Sequence, residues 1–167
     1  MLHRLCFGLA SLCWLASCNS QKPKMSDAEI NKIRSALPGI SERCLTLARF
    51  GGIEAIPDEV DQCFEMTAPK RWQGLWLPLS EGSRFCPFPA TQCTSDTPGP
   101  FIWLDTERLR SSLPQGKLFD DHAYYVVFVG RRTLHAGMYG HLGMSPYEMV
   151  VDKLISISPS REAAPQK

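Results

Sequence analysis

The side chains best suited to chemistry crowd into residues 130–144 (GRRTLHAGMYGHLGM), where Arg131, Arg132, His135, Tyr139 and His141 stand among glycines. Guanidinium groups present forked donors to anions and carbonyl oxygens. Imidazoles exchange protons near neutral pH, and a phenol both stacks and hydrogen-bonds. These five residues are the candidate ligand contacts. A structural role is the other reading: glycines at this spacing suit the positive φ angles of a long hairpin, and the arginines can be solvated or paired with Asp120, Asp121 or Asp152.

The pattern narrows the chemistry further. Neither G-x-G-x-x-G nor a following G-K-[ST] occurs in this stretch, so it is not a nucleotide or phosphate cradle. His135 and His141 lie six residues apart without H-x-x-x-H spacing or clustered carboxylates, and no metal or other cofactor is expected. No G-x-S-x-G elbow supplies a nucleophile, Ser80 and Ser83 read as turn residues, and a glycosidase pair of carboxylates cannot be picked from spacing alone. No catalytic residue is therefore assigned. The reading leans to a non-catalytic binding module for a protein or glycan, with two alternatives: a small hydrolase using His141 or His135, and a structural part of an envelope assembly. Trp72, Trp76, Phe85, Phe88 and Trp103 can form a stacking surface or, more cheaply, a core.

Location is written at the other end of the chain. Residues 1–17 carry one basic residue, Arg4, then an apolar run of about 11 residues, short of the roughly 20 that a spanning helix needs. The run closes on Leu15-Ala16-Ser17-Cys18, which resembles the lipobox of bacterial lipoproteins. That resemblance covers four residues and the signal before them. It implies cleavage before Cys18, acylation of its thiol and new amino group, and a permanent membrane anchor, since two or more acyl chains hold stably where one does not. Asn19 in place of aspartate suggests the outer membrane, periplasmic face. Residues 18–25 then form a lipidated tether.

Removal of the signal leaves 150 residues, enough for one domain with a core, read as residues 26–158. It also leaves 17 basic and 17 acidic side chains, a neutral balance that disfavours nucleic acid as a partner. Of seven cysteines, Cys6 and Cys13 leave with the signal and Cys18 takes the lipid. Cys44, Cys63, Cys86 and Cys93 remain, an even set in an oxidising compartment. Three pairings are possible. The sequence-local one, Cys44 with Cys63 and Cys86 with Cys93, is favoured and would contribute about 3.3 and about 2.5 kcal/mol by chain entropy.

The elements that must position these residues follow from periodicity. Ser26 and Glu29 form a capping box that predicts a first helix ended by Pro38-Gly39. A second helix is expected over 41–50 and a third over 57–66, so that 26–67 is helical. From residue 71 the period changes to two, and strands are expected over 71–79, 83–88, 101–104, 123–129 and 147–157, with a brief helix capped by Asp105 or Thr106 reaching about residue 113. Residues 130–146 are expected as a loop and 159–167 as a disordered tail. The fold class is α+β, a helical segment followed by a small five-stranded antiparallel barrel or sandwich. Three strands, a helix and two strands is an order that resembles the OB-fold.

Overall fold

The computed structural model describes residues 24–79, 82–107, 113, 118 and 122–160. Helix α1 (Asp27–Ala36) begins at the expected box: Ser26 Oγ accepts the Glu29 N–H at 3.4 Å and a Glu29 carboxylate oxygen accepts the Ser26 N–H at 2.7 Å. Helix α2 (Glu42–Gly51) is capped by Ser41, whose hydroxyl accepts the Cys44 N–H. Ile30 of α1 packs with Cys44, Leu45 and Ala48 of α2 and with Cys63, and Met25 closes that cluster from the N-terminal side. The Cys44–Cys63 disulfide runs through its centre, with Cα atoms 5.6 Å apart.

The third helix is shorter than the sequence suggests. Helix α3 is only Val60–Cys63. Beyond it the backbone turns extended, because Phe64 bridges to Ile40, Met66 bridges to Thr133, and the Thr67 N–H donates to the Arg132 carbonyl. Tertiary pairing with the end of a strand overrides the local preference for helix.

Five strands follow: β1 (Lys70–Leu77), β2 (Arg84–Pro87), β3 (Ile102–Asp105), β4 (Tyr124–Arg132) and β5 (Tyr147–Pro159). They close into a barrel in the order β1-β2-β3-β5-β4. The sheet is mixed rather than antiparallel, since β3 and β5 run parallel with Trp103 opposite Glu148. Strands around a closed ring can alternate direction throughout only if their number is even, and five is odd. The fold is thus α+β, with a closed barrel.

Alternation sorts the barrel's faces. Trp76, Phe85, Ile102, Leu104, Val126, Phe128 and Met149 fill the interior. Leu75 and Leu77 point outward, beneath the loop that follows β2, where the Cys86–Cys93 disulfide covers them. Arg84, buried on this side, fastens the same loop by donating to the carbonyls of Thr94, Ser95 and Thr97. Strand β4 extends to Arg132, three residues past the expected end, which moves both arginines from loop to strand. The expected helix after Asp105 falls largely outside the described residues; its proposed cap is visible as Asp105 Oδ1 accepting the Glu107 N–H at 2.8 Å. Most of the expected tail also lies outside them.

The disulfides close loops with sequence separations of 19 and 7. Alanine at both Cys44 and Cys63 should lower stability in urea unfolding by about 3 kcal/mol, and at both Cys86 and Cys93 by about 2 kcal/mol. The second loss is also the milder in its consequences, because Arg84 still holds the loop's carbonyls.

Candidate functional site

The structure separates the five residues that the sequence groups together. Arg131 is clasped: its Nε and Nη2 donate to both Asp152 carboxylate oxygens at 3.0 and 2.6 Å, and Nη2 also donates to Asp61 at 2.9 Å. Of the carboxylates weighed for this role, Asp152 takes it, while Asp120 and Asp121 lie outside the described residues. Hydrogen bonds donated to Asp152, and then to Asp61, hold the guanidinium further into its charged form against the opposing effect of burial. This clasp ties α3 to β4 and β5. Arg132 lies over the Tyr147 ring at 4.3 Å. His135 meets Glu65 at 3.0 Å, both exposed.

Tyr139 is buried. Its ring stands edge-on to Phe64 at 5.1 Å and packs with Val60 and Val150, and its hydroxyl lies 3.2 Å from the His135 carbonyl and 3.4 Å from that of Pro38. Burial pushes the phenol pKa up. Its place is the joint between the helical segment and the barrel. Of the five, His141 alone lines the large cleft described next.

That cleft, about 980 Å³, draws its lining from the β1–β2 turn, from both faces of β3 and from the β4–β5 loop, and reaches the core residues Trp76 and Leu104. Pro78, Leu79 and Ser83 form one side and Gly140 with His141 the other. Trp103 and Asp105 come from β3, and Glu148 from the neighbouring β5. Asp58 and Glu59, at the start of α3, complete a rim whose described charged residues are carboxylates, without lysine or arginine. Ser83 secures the floor, accepting the Trp76 indole N–H at 2.9 Å and donating to the Leu104 carbonyl at 2.8 Å.

The chemistry centres on Glu148. Its backbone is fixed by Thr133, which exchanges an N–H to the Glu148 carbonyl at 2.8 Å for a hydroxyl that accepts the Glu148 N–H at 3.1 Å. Its carboxylate accepts the Gly140 N–H at 3.0 Å. Gly140 sits at φ 67, and a Cβ there would stand 2.6 Å from the Trp103 ring. Only glycine fits between indole and carboxylate while keeping that backbone conformation. Burial pushes the Glu148 carboxyl up to about 7; nearby Asp105 adds to the shift and the Gly140 N–H opposes it. The group can therefore hold or release a proton near neutrality.

Trp103, Glu148 and Gly140 escape a reading by sequence because their meeting depends on the parallel β3–β5 pair. Glu148 reads as an ordinary polar position of an alternating strand, and Trp103 as one more core candidate. Of the aromatic set, Trp76 and Phe85 are core, Trp72 packs against it, Phe88 is exposed, and Trp103 faces the cleft. Among the described residues, no group of three or more His, Cys, Asp or Glu is placed to hold a metal ion. No family model matches the chain, and no curated protein or solved structure matches it significantly.

Because the folded state raises the Glu148 pKa from an ordinary 4.5 to about 7, it binds the proton more tightly than the unfolded chain. The resulting stabilisation is full below about 4.5 and is lost as pH climbs to about 7. Glu148→Gln should flatten that slope. It should also make the protein more stable than wild type at pH 8, by on the order of 2 kcal/mol in denaturant titrations.

Proposed function

We propose that this chain is a lipid-anchored lipoprotein of the bacterial envelope and a non-catalytic binding module, with the cleft around Glu148 as its ligand site. The anchor reading is supported by the Leu15-Ala16-Ser17-Cys18 sequence after a short apolar run. Two disulfides among the four remaining cysteines agree with an oxidising compartment. No helix among the described residues is long and apolar enough to cross a membrane.

The barrel is OB-like in this reading. Its strand order and its parallel β3–β5 pair support the comparison. OB-folds bind oligonucleotides and oligosaccharides with the face of β2 and β3 and with the loops β1–β2 and β4–β5. The observation that carries the proposal is that the cleft lies between those two loops and against β3. Its carboxylates repel phosphate, which turns the choice away from nucleic acid. Within the class of protein or glycan ligands, a glycan without strong negative charge fits best: carboxylates accept hydroxyl protons, and Trp103 offers an apolar surface.

Calorimetric titration with chitohexaose tests the cleft. Glu148→Gln should weaken binding about tenfold at pH 8, where the carboxylate is charged. Equal affinity in the variant, or preference for an oligonucleotide, would overturn the assignment. Cys18→Ser should shift the protein from the membrane to the soluble fraction of envelope preparations; a variant that stays with the membrane sinks the anchor.

A second reading draws on one observation, the carboxyl at about 7 in a cleft that also holds His141. Such a pair suits proton transfer in hydrolysis. Under that reading, His141→Ala abolishes turnover of a bound glycan while leaving its affinity within a few fold. The binding module shows no turnover to lose.

A further inference from the structure

Four of the eight exposed large apolar side chains among the described residues belong to the β4–β5 loop: Leu134, Met138, Leu142 and Met144. Leu142 is the extreme case, 77 % exposed and held at φ 54. That left-handed conformation is strained for a residue bearing a Cβ. Gly140 and Gly143, both at φ 67, flank it and fold the backbone into a sharp turn with leucine at the apex. Met138 lies over the same turn, since a Cβ on Gly143 would stand 3.2 Å from Met138 Cβ. Met138, Leu142 and Met144 thus present three exposed apolar side chains on and beside this one turn, an apolar knuckle. Neither the strain nor the exposure serves the fold, because asparagine or glycine at 142 would be less strained and better solvated.

We propose that this knuckle seats in the boundary between headgroups and acyl chains of the membrane that carries the anchor. The proposal rests on acylation of Cys18, and tether length favours it over a protein partner. Five residues separate Cys18 from Lys24 in the sequence, so the link reaches at most about 20 Å. The Lys24 N–H donates to the Arg49 carbonyl at 2.8 Å, which fixes the end of the tether just before α1. The far end of α1 meets the β4–β5 loop where the Tyr139 hydroxyl approaches the Pro38 carbonyl. A helix of ten residues spans about 15 Å. The reach of the tether is thus comparable to the length of the helix that separates its attachment point from the Pro38 end, and the protein can lie with that end at the surface. Proximity supplied by the lipid makes even a weak apolar contact populated, as for any tethered second site. Gly140 and His141 belong to the knuckle's turn and line the cleft, so the contact would set the mouth of the cleft beside the membrane.

The test uses the acylated protein reconstituted into phosphatidylethanolamine and phosphatidylglycerol vesicles containing doxyl-labelled lipid. An environment-sensitive fluorophore is attached at Leu142→Cys or, for comparison, at Ser95→Cys in the disulfide-closed loop. The residue-142 label should be quenched at least twice as strongly, and in a Met138→Cys reporter the added change Leu142→Asn should halve the quenching while leaving the unfolding midpoint unchanged or higher. Equal quenching at 142 and 95 overturns the contact. So does a residue-142 label in whole envelopes that is shielded from both lipid quencher and aqueous iodide, because a protein then covers the knuckle. The mass of the amino-terminal peptide reports separately on the anchor: a chain without lipid brings down that reading, whereas a lipidated chain with an unquenched label brings down the knuckle alone.

Discussion

The parallel contact between β3 and β5 is the constraint from which the rest of the molecule follows. Five strands close a barrel only if one neighbouring pair runs in the same direction. Here that pair sets Trp103 beside Glu148 on the outer wall. An indole and a carboxyl so placed leave room between them for a residue without a side chain, and Gly140 fills it. The return of the β4–β5 loop over this junction creates the cleft, removes water from the carboxyl and keeps its proton bound to about pH 7.

The same loop joins the two halves of the fold. Tyr139 reaches from it into the seam formed by Phe64 and Val60, and Arg131 at its root gathers Asp61 from α3 and Asp152 from β5. Two residues with the credentials of ligand contacts are thus occupied in holding helices to barrel. A loop bound at both ends can hold a left-handed leucine at its apex, since the surrounding structure supports the strain.

What the sequence made legible was local. The capping box at Ser26, the second helix, the five alternating or apolar runs and the two short cysteine spacings all depend on neighbours within about 20 residues, and each corresponds to an observed element or bond. The failures were of longer range. Residues 64–67 have helical surroundings in sequence, but their backbone pairs with residues 40 and 132–133. The cleft joins residues near 58, 83, 103 and 148 that no periodicity connects. Arg84, within the expected second strand, is buried and holds three carbonyls of the following loop, partners that alternation along the strand does not reveal. Clustering along the chain drew attention to the arginine end of the β4–β5 loop, whereas the free surface belongs to its glycine-rich turn.

On the proposed reading, ligand recognition belongs to the carboxylate and tryptophan cleft, and the arginines serve architecture. Amide shift mapping during titration with an oligosaccharide tests that division most directly. The Trp103, Asp105, Gly140 and His141 amides and the Trp103 indole N–H should move with ligand, while those of Arg131, Arg132 and His135 stay in place. Shifts confined to Arg131, Arg132 and His135, with a silent Trp103, would contradict it.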